Sequence, residues 1–155
     1  MKLYWAINAG LHIIAIILLS GALCSENFLF RRGMNADDVK KLLIADAVHA
    51  GALVLIIITG LSYILVFNHN AAFNYSQNLF FIAKLVMFAI VVCCSLYPSY
   101  TFQRWRKAVR LQRPSLISYH QQRMVSRFIR LELYALLIIP VLVELARAGY
   151  GQWTN

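Results

Sequence analysis

A chain of 155 residues has the length of one soluble domain, yet 61% of its residues are hydrophobic, more than a single soluble core can bury. A formal net charge of +9 would point to nucleic acid if the basic residues were spread over a folded surface; they crowd into two connectors instead, which excludes that class. Lipid is the solvent this composition fits, since ~20 mostly apolar residues in helix cross a hydrocarbon core ~30 Å thick.

Four such stretches follow one another, at about residues 5–28, 45–67, 80–102 and 128–148. A backbone amide left unpaired in hydrocarbon costs several kcal/mol, and a helix pairs its amides internally. The predicted fold is therefore all-α, a single integral membrane domain over residues 1–155. Short connectors favour antiparallel neighbours, which gives an up-down-up-down four-helix bundle. The first stretch is expected to stay in the mature protein. Its apolar run exceeds a signal-peptide core, no small-x-small cleavage site follows, and Leu23 stands where a lipoprotein site before Cys24 needs a small residue.

Behind the first stretch come Arg31, Arg32, Lys40 and Lys41, in a connector over residues 31–44. Ala47 and Gly51 in the second stretch form a small-xxx-small pair, a common packing face. The connector at residues 68–79 carries no Lys, Arg, Asp or Glu, whereas residues 103–127 hold Arg104, Arg106, Lys107, Arg110, Arg113, Arg123 and Arg127 without any acid. The positive-inside rule places both basic connectors in the cytoplasm and both termini outside. Helix three is expected to continue to about Leu111, interrupted at Arg113-Pro114, with the arginines facing anionic headgroups. Pro98 and Pro140 are expected to kink helices three and four. Cys24, Cys93 and Cys94 lack metal-type spacing and read as packing residues.

Ionisable groups at membrane depth are expensive, so each one needs a reason. Counting ~1.5 Å of rise per residue, His12, Lys84 and Glu144 lie roughly 6 to 10 Å to the outer side of the midplane, together with Tyr63. Glu26, Asp46, His49, Arg130 and Glu132 lie roughly 9 to 15 Å to the inner side, with Tyr97. In the outer layer, Lys84 and Glu144 make a candidate ion pair, with snorkelling to the headgroups as the alternative. In the inner layer, Asp46 lies one turn before His49 on the same face, and the two form a candidate proton-handling set with Glu26 and, from the outer layer, Glu144. The alternative is a cluster that only ties helix ends together.

Haem is the cofactor that a small bundle with an intramembrane histidine most naturally carries. His12 and His49 do not share one haem: axial nitrogens lie about 4 Å apart across the iron, and these two differ in depth by roughly 16 Å. His12 would need another axial partner, and His69 is the other outer histidine.

The stretches Leu11-His12-Ile13-Ile14, Ser20-Gly21-Ala22-Leu23, Asn78-Leu79-Phe80-Phe81-Ile82-Ala83-Lys84-Leu85, Arg104-Trp105-Arg106, Arg130-Leu131-Glu132 and Ala148-Gly149-Tyr150-Gly151 resemble a family of bacterial four-helix membrane proteins with no assigned function. That family is similar to the CopD-like membrane proteins and, more remotely, to the HemJ-type protoporphyrinogen oxidases. The resemblance implies a b-type haem, with His12 and Lys84 at the positions of a functional histidine early in helix one and a functional lysine early in helix three. Arg130 and Glu132 resemble the start of the last helix at a different spacing, and Cys24-Ser25-Glu26-Asn27 stands where the HemJ-type pattern has an arginine. The expected function is then a haem b redox protein of the bacterial inner membrane, acting on electrons or on a quinone-like or porphyrin-like lipophilic ligand. His12 would be the iron ligand, Lys84 and Tyr63 would line the cofactor, and Lys84, Arg130 and Glu132 would be the reactive groups. A proton- or metal-handling module and a non-catalytic scaffold gripping anionic lipid stay open, as does a homo-oligomer.

Overall fold

A computed structural model of the chain describes residues 2–30, 36–67, 78–110, 119–148 and 150–151. Four helices account for nearly all of them: α1 (Lys2–Leu29), α2 (Ala36–Ser62, prolonged by a π-helical turn over Tyr63–Phe67), α3 (Leu79–Arg110) and α4 (Tyr119–Arg147). Among the described residues there is no strand. Arg31, Arg32, His69, Arg113, Pro114 and the neutral connector before Asn78 lie outside the described residues.

The helices extend past the apolar stretches. Asp37 and Asp38 begin α2, where carboxylates complement the positive helix end. The basic residues Arg104, Arg106 and Lys107 continue α3, and Arg123 and Arg127 belong to α4. Among the described residues, three helices are long and apolar enough to cross a membrane, over Lys2–Leu29, Asp37–Leu65 and Leu79–Lys107. The fourth is equally long, but only residues 133–143 within it form an uncharged run between Glu132 and Glu144.

Which helices touch, and in what register, follows from the pairs they bring together. Asn8 and His12 meet Thr59, and Glu26 meets His49, so α1 and α2 run antiparallel. Asn78 meets Ala146 and Tyr97 meets Phe128, so α3 and α4 do the same. The product is an up-down-up-down bundle of two helical hairpins.

Its core is a set of helical stripes. On α2, Val39, Leu42, Leu53 and Ile56 are buried at spacings of three and four residues, and Asp46 and His49 fill the gap in the same series. On α1, Ala15, Leu19 and Leu23 lead to buried Glu26; on α4, Val125 and Ile129 lead to buried Glu132. The polar residues thus occupy positions that a bundle ordinarily gives to leucine. Around the outside, Ile13, Ile17, Val54, Ile58 and Leu137 are exposed, an apolar surface too extensive for water and matched to acyl chains.

A latch closes the outer end of the α3–α4 hairpin. The Asn78 carboxamide oxygen accepts hydrogen bonds from the Phe80 and Phe81 amides at 3.0 and 3.2 Å, an N-cap for α3. Its amide nitrogen donates to the Ala146 and Tyr150 carbonyls, and the Leu79 amide donates to the Gly151 carbonyl at 3.0 Å. Gly151 holds φ +74°, and a Cβ there would sit 2.7 Å from the Phe80 ring, so both backbone and space demand glycine.

The expected packing face of Ala47 and Gly51 points outward, because both are exposed and nothing lies within 4 Å of a Cβ added at Gly51. Cys24 and Cys93 are exposed and Cys94 is half-buried, all as free thiols. Helices α3 and α4 run unbroken through Pro98 and Pro140.

Candidate functional site: a carboxylate–histidine–carboxylate chain

At one level of the bundle the core stripes of α1, α2 and α4 carry Glu26, His49 and Glu132. The Nδ1 atom of His49 lies 3.1 Å from Oε1 of Glu26, and its Nε2 lies 3.5 Å from Oε2 of Glu132. Relative exposures of 1% for Glu26, 3% for His49 and 1% for Glu132 remove water as the routine partner. One imidazole therefore spans two carboxylates from two other helices, one on each ring nitrogen. One turn before His49, Asp46 accepts a hydrogen bond from the Ser99 hydroxyl of α3, so all four helices contribute.

The two sides of the histidine differ. The Glu26 contact is a hydrogen bond, whereas the wider Glu132 contact leaves His49 Nε2 and both Glu132 oxygens without a hydrogen-bond partner among the described residues. A buried acceptor left unpaired costs about 1 to 3 kcal/mol, more if charged. Closing both contacts takes two protons, arranged as imidazolium with two carboxylates or as neutral imidazole with one carboxylic acid. Those arrangements differ by moving one proton along one contact, which is the chemistry of a relay.

No Lys or Arg among the described residues is paired with this cluster. Arg130 is exposed and bonds within its own helix to Ser126. It stands two residues from Glu132, about 200° around the helix, so the two cannot face the same way. Fully ionised, three carboxylates and one imidazolium would carry two uncompensated negative charges, and each proton taken up removes one of them from a low-dielectric interior. Ligands for a metal must converge on one point, whereas the two carboxylates here lie on opposite nitrogens of one ring. Among the described residues no three or more His, Cys, Asp and Glu side chains converge as a metal site.

The cluster is enclosed at both ends. Towards the basic end lie Val39, Leu42, Phe102, Trp105, Val125 and Ile129, all at most 2% exposed. Towards the opposite end lie Ala15, Leu19, Ala52, Ile56 and Val91.

Beyond that apolar layer sits the outer set. The Thr59 hydroxyl donates to the Leu55 carbonyl at 2.7 Å, and His12 Nδ1 lies 2.7 Å from the same hydroxyl oxygen. In the tautomer that keeps the Thr59 proton on Leu55, Thr59 accepts from His12 Nδ1–H and the lone pair is left on Nε2. Asn8 donates to the Thr59 carbonyl at 3.0 Å, and Gly60 lies beside the ring, where a Cβ would make ordinary contact at 3.8 Å with His12 Cε1. Lys84 stands 4.3 Å over the Phe81 ring and near enough for its charge to act on His12. The expected Lys84–Glu144 pair does not form: Glu144 pairs with Arg147 at 3.1 Å on the exposed face. Tyr63 opens the π-helical turn that ends α2.

The sequence puts Glu26, Asp46, His49 and Glu132 at one level; the structure joins Glu26, His49 and Glu132 and bonds Asp46 to Ser99 beside them. Sequence reasoning missed Ser99 and Thr59, whose only signal is a hydroxyl residue on a helix face opposite an ionisable one.

The family model described as Predicted membrane protein (DUF2214) matches residues 5–151, and the chain belongs to that family of membrane proteins. No curated protein and no solved structure matches it.

Proposed function

We propose that this is a proton-handling protein of the bacterial inner membrane, in which Glu26, His49 and Glu132 take up a proton and pass it across the bundle core. The observation that carries the reading is the bracketing of one buried imidazole by two buried carboxylates, at 3.1 and 3.5 Å. Glu132, whose oxygens have no other partner among the described residues, is the end at which the proton is exchanged, and Asp46 with Ser99 is a side branch. The apolar layers on both sides favour an acceptor that serves a proton-coupled step over an open pore. The basic helix ends support a cytoplasmic location for this half of the bundle. pH-induced infrared difference spectra of the reconstituted protein test the reading. A carboxyl C=O band should be present in the wild type and lost in Glu132→Gln; a spectrum that neither Glu132→Gln nor Glu26→Gln alters would sink it.

A second reading rests on His12. Its Nδ1 is anchored on Thr59, so Nε2 is presented as a metal ligand in the manner of haem-binding histidines, and the resemblance to CopD-like and HemJ-type proteins supports the same position. His12 would hold haem b, with Lys84 placed for a propionate or a substrate carboxylate, and the haem would supply one-electron chemistry when bound. His49 does not fit as a ligand, since both its nitrogens face carboxylates. A Soret band in haem-replete protein, lost in His12→Ala, is the expected result; its absence from the wild type removes this reading and leaves the first intact.

A further inference from the structure

Arg123, Arg127 and Arg130 follow one another along α4 at intervals of four and three residues, and all three are exposed, so they share one face of the helix. Arg130 donates to the Ser126 carbonyl at 3.2 Å and to the Ser126 hydroxyl at 2.9 Å. Those bonds turn its head toward the basic end of the helix and away from hydrocarbon, as a snorkelling arginine does. Continuing along the same line come Tyr134, Leu137 and Val141, exposed at 62, 72 and 59%. The face therefore changes from cationic through aromatic to aliphatic over a rise of ~21 Å from Arg127 to Val141, which is the depth of one leaflet with its headgroups, ~20 Å.

Among the described residues none of the three arginines meets a carboxylate; the exposed ion pairs join Lys40 to Asp37 and Arg147 to Glu144. Like charges one turn apart on a helix repel each other, so the stripe calls for an anion from outside the chain. Guanidinium groups match phosphate oxygens in a bidentate fork. The aliphatic continuation at bilayer depth selects an occupant that carries its own hydrocarbon.

We infer that this face of α4 holds a phospholipid with an anionic headgroup, its phosphate on Arg127 and Arg130 and an acyl chain along Tyr134, Leu137 and Val141. The site is independent of the proton reading. The test uses the full-length protein in mixed micelles, with native mass spectrometry counting retained phosphatidylglycerol against phosphatidylcholine, and circular dichroism confirming the fold of each variant. Phosphatidylglycerol should be retained preferentially, with affinity falling roughly fivefold for Arg127→Gln and again for Arg130→Gln, the usual effect of one surface cation on anionic lipid. Arg104→Gln and Arg106→Gln on α3 should leave it unchanged. Equal retention of the two lipids, or equal loss from the α3 and α4 substitutions, would overturn the site.

Discussion

The two polar layers of this bundle solve the same problem differently. The inner one closes on itself across three helices: His49 has a carboxylate on each nitrogen and is 3% exposed. The outer one disperses. His12 leans on Thr59, Lys84 lies over Phe81, and Glu144 turns to its own helix neighbour Arg147. Position on the helix separates the two. Glu26, His49 and Glu132 occupy core-stripe positions and have only one another, whereas Lys84 and Glu144 sit on flanks where local partners are within reach.

The largest effect should come from breaking the inner chain on one side. His49→Leu leaves two buried carboxylates facing an apolar group, and removal of one partner from a buried pair typically destabilises by about 3 to 5 kcal/mol; denaturant or SDS unfolding of the reconstituted protein reads this. Replacing Glu26, His49 and Glu132 together by apolar residues of similar volume should restore stability to the wild-type level or above while abolishing the infrared carboxyl signal. A triple variant as unstable as His49→Leu would mean that the cluster exists to hold the bundle together.

Next in size is the Asn78–Gly151 latch, which lies apart from both layers. Gly151→Ala meets the Phe80 ring and a left-handed backbone at once, and should lower stability by at least ~1 to 2 kcal/mol. Asn78→Ala removes an N-cap, a loss of ~0.5 to 2 kcal/mol. Neither should alter the carboxyl signal.

In the outer layer, Thr59→Val removes the hydroxyl bonded to His12 Nδ1 and should reduce stability by ~0.5 to 1.5 kcal/mol, the net value of one hydrogen bond. The smallest effect is expected from Glu144→Gln. Its partner is an exposed neighbour three residues away, and such pairs contribute ~0 to 1 kcal/mol. A large loss there would show that Glu144 has a partner beyond its own helix, which would undo the contrast between the layers.

Much of the inner site was legible in the sequence because depth and face agreed. Asp46 and His49 continue the three-and-four spacing of Val39, Leu42, Leu53 and Ile56, so their direction could be read from their neighbours. Depth alone misled elsewhere. Arg130 and Glu132 are nearly level, yet two residues apart on a helix they face opposite ways, and one is exposed while the other is buried. Ala47 and Gly51 made a plausible packing pair until the structure turned both outward. Lys84 and Glu144 share a level as well, and Arg147 was the nearer partner for Glu144. Thr59 and Ser99 were out of reach for a different reason: a hydroxyl can satisfy itself on the preceding turn, so only the register between helices shows what it holds.

Each nitrogen of His49 has a carboxylate beside it, and ¹⁵N NMR of the histidine-labelled protein in lipid tests that placement most directly. Glu26→Gln should shift the Nδ1 resonance of His49 and Glu132→Gln its Nε2 resonance, each with a smaller change at the other nitrogen. If neither substitution moves either resonance, the imidazole is not held between the two carboxylates and the relay does not exist.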